Sequence, residues 1–255
     1  MKENRHVVAV TGRGGAGKTT VTSIMIRLLA EEGKRSILAV DADPPTGLTY
    51  ALGAEPERTV GDIRKRMIED PGERRRVRDR STKEILLEET VMKTKLTDLL
   101  VMGRAEGQGC FCTINEILKY GIESLSKEYD MTLIDCEAGI EQVNRRVISS
   151  VNTLVMVSDP SVRGIQTAVQ LLQIVNEYEV NKPERVILLV NKVNERFEKA
   201  LSEAADRYGI EIAGFIPMDE NVINFNLVDT PIIELPKDSP AVNAVRKVLK
   251  DLELL

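Results

Sequence analysis

Gly12-Arg13-Gly14-Gly15-Ala16-Gly17-Lys18-Thr19 decides the fold of this chain. The octet fits GxxxxGK[ST], a spacing that cradles phosphate when it follows a strand and opens a helix. Both flanks are present. Val7-Val8-Ala9-Val10 reads as a buried strand. From Thr19 to Glu32, Val21, Ile24, Met25, Leu28 and Leu29 recur on one helical face, and Gly33 stops the helix. The glycines let backbone N–H groups curl around phosphate oxygens, and the helix points its positive end at them. Gly12, Gly14, Gly15, Ala16, Gly17, Lys18, Thr19 and Thr20 are therefore the candidate nucleotide-binding residues. Lys18 is expected to reach the β- and γ-phosphates of ATP, and the Thr19 hydroxyl to hold Mg²⁺.

Outward from the loop, aliphatic strands alternate with helical patterns. Strands are expected at Ser36–Asp41, Leu99–Met102, Met131–Asp135, Thr153–Val157, Arg185–Asn191 and Ile210–Phe215. Helices are expected near 113–128, 162–179, 194–208 and 239–253. This order implies an α/β fold, a mainly parallel sheet with helices on both faces. The 255 residues suit one P-loop ATPase domain. Residues 59–93 stand apart as a charged helical insertion with no clear strand. The run Glu73–Arg80, ERRRVRDR, reads either as a solvated face or as a docking patch for a partner protein.

Two acidic elements complete the expected site. Asp41-Ala42-Asp43-Pro44 directly follows the second strand. Asp135 ends the apolar run Thr132-Leu133-Ile134, where a magnesium shell gives a carboxylate its reason. Glu137-Ala138-Gly139 beyond it reads as a sensor of the γ-phosphate. Asn191 closes a later strand. An asparagine there suits recognition of a base, or simply a helix cap.

Composition excludes several classes. A net charge of −5 argues against nucleic acid as a partner. No apolar run approaches the roughly 18 residues of a membrane span, and the N-terminus lacks a signal peptide, so a cytoplasmic location is expected. The charges of the amphipathic stretch Ala241–Leu255 are mixed, which favours core packing over membrane contact. His6, at the start of the first strand, reads as structural.

Three cysteines make no disulfide framework. Cys110 and Cys112, in Gly107-Gln108-Gly109-Cys110-Phe111-Cys112, point to one side of an extended segment. Two thiolates do not close a tetrahedral metal site, whereas a two-fold dimer would supply four. On spacing alone, a pair of small free thiols is the other reading. Cys136, beside Asp135, reads as buried packing.

GRGGAGKTT, DADP and LIDCEAG together resemble the deviant Walker A ATPases, which include septum-site and chromosome-partition ATPases and the nitrogenase iron protein. In that family a lysine occupies the place of Arg13 and touches the phosphates of a dimer partner. Arginine keeps the charge. It would serve as an arginine finger, or prove too long for the same geometry. The resemblance implies that Asp43 positions the attacking water and that Asp41 lies nearer the magnesium. It also implies that Asn191, with Pro217 and Asp219 of Ile216-Pro217-Met218-Asp219, recognises the base. Catalysis is then expected of Lys18, Asp43 and Arg13.

The stretch GRAEGxGCxC, with DCEAGIE and SDPSVRG, is similar to the nickel-site maturation ATPases of the CooC type. That resemblance implies a slow, switch-like, homodimeric ATPase that holds Ni²⁺, or Zn²⁺ in its place, on Cys110 and Cys112. Its client would be a carbon monoxide dehydrogenase or acetyl-CoA synthase. Two alternatives remain, an iron–sulfur electron-transfer ATPase and a positioning ATPase. Gly139–Val151 has no cysteine, which counts against the first.

Overall fold

The computed structural model describes residues 5–70, 72, 75, 84, 89–104, 112–138, 151–177 and 182–255, with residues 112–116 described by backbone alone. Among the described residues eight strands form one sheet: β1 His6–Gly12, β2 Ile37–Ala42, β3 Val91–Lys93, β4 Asp98–Val101, β5 Met131–Cys136, β6 Thr153–Ser158, β7 Arg185–Val193 and β8 Ile212–Pro217. Their order is β3-β4-β2-β5-β1-β6-β7-β8. Every pairing is parallel except β3 with β4. The central strands β2, β5 and β6 are buried along their whole length. This explains their unbroken aliphatic runs.

Helices cover both faces. On one lie α1 (Lys18–Glu31), α2 (Gly47–Ala51) and α8 (Pro240–Asp251). Ile24, Leu28, Leu48, Val242, Val245 and Leu249 join Val8, Val10 and Leu133 there. On the other lie α3 (Val60–Glu69), α4 (Cys112–Leu125), α5 (Val162–Glu177) and α6 (Glu198–Asp206). Ile63, Leu118, Ile122, Ile165 and Leu171 pack there against Val7, Ala9, Ile134 and Cys136. Helix α7 (Glu220–Leu227) follows β8 and has no buried residue. The apolar side of α8 is buried, as its mixed charges led us to expect. Among the described residues no helix is long and apolar enough to cross a membrane.

The sheet differs from expectation at its margin. Residues 59–93 contain a strand, β3, antiparallel at the sheet edge beside β4. Three residues are too few to show a period of two. The same region opens with α3, fixed by a reciprocal cap: the Asp62 N–H bonds to the Thr59 hydroxyl, and the Thr59 N–H bonds to the Asp62 carboxylate. Helices α2 and α7, of five and eight residues, were not anticipated. The stretch expected to be helical over 194–208 begins as a 3₁₀ turn, Glu195–Phe197, before α6.

Candidate nucleotide site

The site lies beyond the carboxyl ends of β1, β2, β5, β7 and β8, where open parallel sheets bind ligands. β1 enters the phosphate loop at Gly12, whose φ is 141°. A Cβ there would sit 2.1 Å from the Val157 carbonyl oxygen, so only glycine fits. Gly17, at φ 96°, caps α1, and a Cβ on it would lie 2.2 Å from Asn191 Nδ2. Two long-range bonds hold the loop in shape. Asn191 Nδ2 donates to the Ala16 carbonyl at 2.8 Å, and Lys192 Nζ donates to the Gly15 carbonyl at 2.9 Å. With the Ala16 carbonyl turned toward β7, the trans peptide aims the Gly17 N–H the opposite way.

At the start of α1, Lys18 is nearly buried. The Thr19 hydroxyl donates to Asp135 Oδ2 at 2.7 Å, and the Thr22 hydroxyl lies 3.4 Å from Asp135 Oδ1. Asp41 and Asp135 are directly opposite each other on adjacent strands and almost fully buried. Asp41 Oδ2 accepts both the N–H (2.9 Å) and the hydroxyl (2.7 Å) of Thr49. Its other oxygen faces the Asp43 N–H at 3.4 Å. Asp41 thus shapes the loop that carries Asp43, and Thr49 is a participant that no local signal marks.

The electrostatics follow from this crowding. Burial raises Asp135 to about 7; the Thr19 bond opposes this, Asp41 and Asp43 add to it, and the Lys18 ammonium pulls it back. Burial raises Asp41 to about 6 against the Thr49 bonds. Burial also lifts half-buried Asp43, with Lys18 lowering it and Glu137 raising it. Three carboxylates around one ammonium leave an excess of negative charge. A hydroxyl and carboxylates are hard oxygen donors, which fits magnesium. Thr19 and Asp135 could hold it, directly or through water. Ala138 adjoins the loop, since a Cβ on Gly14 would lie 3.6 Å from the Ala138 Cβ. That brings the segment after β5 to the expected γ-phosphate end.

Arg13 folds back on its own chain. Its Nη1 lies 3.2 Å from Asp159 Oδ2. Asp159 also accepts the Ser161 N–H at 3.1 Å and the Ser161 hydroxyl. An ion pair this exposed is worth about 0–1 kcal/mol, so it parks the guanidinium without locking it. Neither Asp159 nor Lys192 was assigned a role from the sequence, although Asp159 lies in SDPSVRG, a stretch quoted for the resemblance.

On the base side, Asn191 is buried, and its amide is committed to Ala16 and to the Lys192 N–H. Pro217 ends β8. The Asp219 carboxylate accepts the Asn221 N–H (2.9 Å), the Asn221 side-chain N–H (3.0 Å), the Ala241 N–H (3.0 Å) and the Ser239 hydroxyl. It therefore caps α7 and fastens the start of α8. Burial would raise its pKa, but these bonds outweigh burial and hold it below the usual carboxylate range. Structurally, Asn191 and Asp219 act as staples; sequence reading alone does not show where their partners lie.

Cys110 lies outside the described residues, and Cys112 is described only as the first backbone position of α4. Cys136 is a fully buried free thiol whose pKa burial pushes far up.

Residues 7–232 match the family model described as the CobQ/CobB/MinD/ParA nucleotide binding domain. The chain is 36% identical to an uncharacterized ATP-binding protein of Methanocaldococcus jannaschii over 250 residues, 96% of this chain and 98% of the relative. It is 29% identical to the carbon monoxide dehydrogenase accessory protein CooC of Rhodospirillum rubrum over 228 residues, 84% of each. The MinD cell division protein of Aquifex aeolicus shares the fold, with a TM-score of 0.72 at 23% identity over 97% of this chain and 96% of that one. The chain belongs to the CobQ/CobB/MinD/ParA family of nucleotide-binding domains, and it is an ATPase.

Proposed function

We propose that this ATPase is a nucleotide-switched metallochaperone that self-associates and carries nickel to a carbon monoxide dehydrogenase or acetyl-CoA synthase. One observation carries the reading furthest. Cys112 opens α4, and α4 packs through Leu118, Ile122 and Leu125 into the same core layer as Ile134 and Cys136 of β5. The helix that begins at Cys112 is thus joined by packed elements to β5, the strand that carries Asp135. The glycine-rich surroundings of Cys110 and Cys112, and the likeness to the CooC accessory protein, support the same reading.

In this account Lys18 faces the β- and γ-phosphates and offsets their charge, while the Gly17 N–H and the positive end of α1 add donors. Magnesium, when bound, would neutralise charge on the phosphate oxygens, and Thr19 and Asp135 would hold it. Asp43 orients the attacking water and, lifted by burial, is suited to accept its proton. Arg13 leaves Asp159 and reaches the phosphates of a second copy, where a guanidinium stabilises charge in the transition state. Closing of the two copies brings both cysteine pairs together, and hydrolysis lets them part. Nickel is cargo in this scheme, held by four thiolates from two chains.

The test is the metal content of anaerobically purified protein beside a Cys110→Ala, Cys112→Ala variant. The proposal expects thiol-dependent metal at one ion per two chains. Metal absent from the wild type after incubation with nickel, or retained in full by the variant, would contradict it. ATP-dependent binding to lipid vesicles or DNA, without metal, would instead favour a positioning ATPase.

A further inference from the structure

Beyond β4 the chain is held against two other elements. The Met102 N–H donates to the Asp41 carbonyl at 2.8 Å, and the Met102 carbonyl accepts the Gly61 N–H at 2.9 Å. A Cβ on Gly61 would lie 2.3 Å from the Arg104 carbonyl oxygen, so the first turn of α3 sits flush on the stretch 102–104. Beside this clasp lies an open depression of about 430 Å³, with Pro44, Pro45, Thr46, Tyr50, Lys65 and Arg104 on its walls. Its volume falls within the roughly 300–1,000 Å³ of ligand sites. Part of the wall directly follows Asp43. Another part, Arg104, stands six positions before Cys110, at most about 22 Å along the chain.

Strain and charge both mark this depression. Thr46, a β-branched residue, is held in the left-handed region at φ 59°. Such strain gathers at ligand clamps and switch segments. Tyr50 is 53% exposed and, with Pro44 and Pro45, offers apolar surface beside the cations. Lys65 and Arg104 are exposed. The carboxylate on the wall, Asp62, commits its Oδ2 to the Thr59 N–H at 2.9 Å and to the Thr59 hydroxyl at 2.8 Å. Arg58–Arg66 carries four cations, Arg58, Arg64, Lys65 and Arg66, against the one carboxylate, on a chain whose net charge is −5. We propose that the depression is a docking site for an acidic segment of the client protein, held by Lys65 and Arg104. Charge complementarity selects that occupant and orients it. The inference rests on the metallochaperone reading for the partner's identity and adds where that partner sits. A segment docked here touches both the loop after Asp43 and the stretch that leads to Cys110, so the client's arrival bears on both sites of the switch.

The probe is a fluorescein-labelled hexaglutamate peptide, read by anisotropy at about 50 mM salt, where screening is weak. Mg-ADP fills the phosphate loop so that Lys18 is not the peptide's target. The wild type should bind hexaglutamate at least about tenfold more tightly than labelled hexalysine, and less tightly as salt rises. Lys65→Glu with Arg104→Glu should lose about tenfold or more, the scale of two exposed pairs turned repulsive. Arg104→Gln, which leaves the backbone clasp in place, should lose about threefold. Lys247→Glu, exposed on α8 in the other helical layer, should stay within about twofold. Unchanged melting temperatures confirm that the variants fold. Equal peptide affinity in the wild type and in both Arg104 variants would overturn the site. Labelled oligodeoxythymidine bound more tightly than hexaglutamate through the same two residues would overturn the acidic-protein assignment in favour of nucleic acid. Nickel content of the same preparations separates the two readings. Thiol-dependent metal without peptide binding overturns the docking site alone. Charge-dependent peptide binding without metal supports the docking site and overturns the metallochaperone reading.

Discussion

Replacing Asp219 by alanine separates a structural staple from a base contact. The carboxylate is buried and accepts four hydrogen bonds, two from Asn221, one from Ala241 and one from Ser239. Alanine removes the cap of α7 and the anchor of α8, each worth about 1 kcal/mol. It also strands the buried Ser239 hydroxyl, at about 1 kcal/mol or more. The expected loss is about 3 kcal/mol, or a melting temperature lower by about 6–12 °C for a chain of this size. Urea and thermal unfolding measure it. ATP affinity taken well below the transition should change little. The hydrogen bonds hold the folded carboxyl below its ordinary value of 3.8. Its contribution is therefore complete above about pH 4 and is lost as pH falls through the folded value, so the variant's deficit should shrink in acid. A destabilisation below about 0.5 kcal/mol together with lost ATP affinity would refute the capping argument and restore Asp219 to the base site.

Other expectations follow from the phosphate side. Burial raises Asp135 from 3.8 to about 7, so the folded apo chain keeps a proton that the unfolded chain releases, and stability should fall as pH rises through that window. Asp135→Asn should melt higher than wild type in magnesium-free buffer at about pH 8, with the gap closing toward about pH 4; calorimetry showing no gap at any pH would count against the buried-charge account. Lys18→Ala should lose Mg-ATP binding, whereas Asp43→Ala should keep binding and lose hydrolysis; normal turnover in Asp43→Ala would remove its water-positioning role. Arg13→Ala should bind ATP as wild type but lose ATP-driven self-association by light scattering, with stability changed by about 1 kcal/mol at most because the Asp159 pair is exposed.

The phosphate loop was legible because its information is local: glycine spacing, a strand before it and a helix after it. The place of Asp135 beside Thr19 was legible for a related reason, since a carboxylate near the end of the apolar run of β5 has few other uses. The mainly parallel sheet and its two helical layers followed from aliphatic periodicity, whereas the order of strands within the sheet was not read from the sequence. What escaped the sequence depends on partners far along the chain. Asn191 meets Ala16 across 175 residues, and Asp219 meets Ala241 across 22. Neither asparagine nor aspartate announces by itself whether it will face a ligand or a backbone. Thr49 looked like any threonine until α2 brought it onto Asp41. Short elements such as β3 and α2 hold too few residues for a period to emerge.

The central claim is that nucleotide state and metal binding report on each other through the packed path from α4 to β5. The direct measurement is an anaerobic nickel titration of the chain without nucleotide, with ADP, and with ATP in an Asp43→Ala background that retains ATP. A ligand that prefers the closed pair of copies must tighten the other by the same factor, typically by about fivefold or more for coupling of about 1–3 kcal/mol. The account predicts that ATP strengthens nickel binding on that scale, at one ion per two chains, and that Cys110→Ala with Cys112→Ala abolishes it while ATP affinity in metal-free buffer stays unchanged. Equal nickel affinity in all three nucleotide conditions would contradict it, even if both ligands bind.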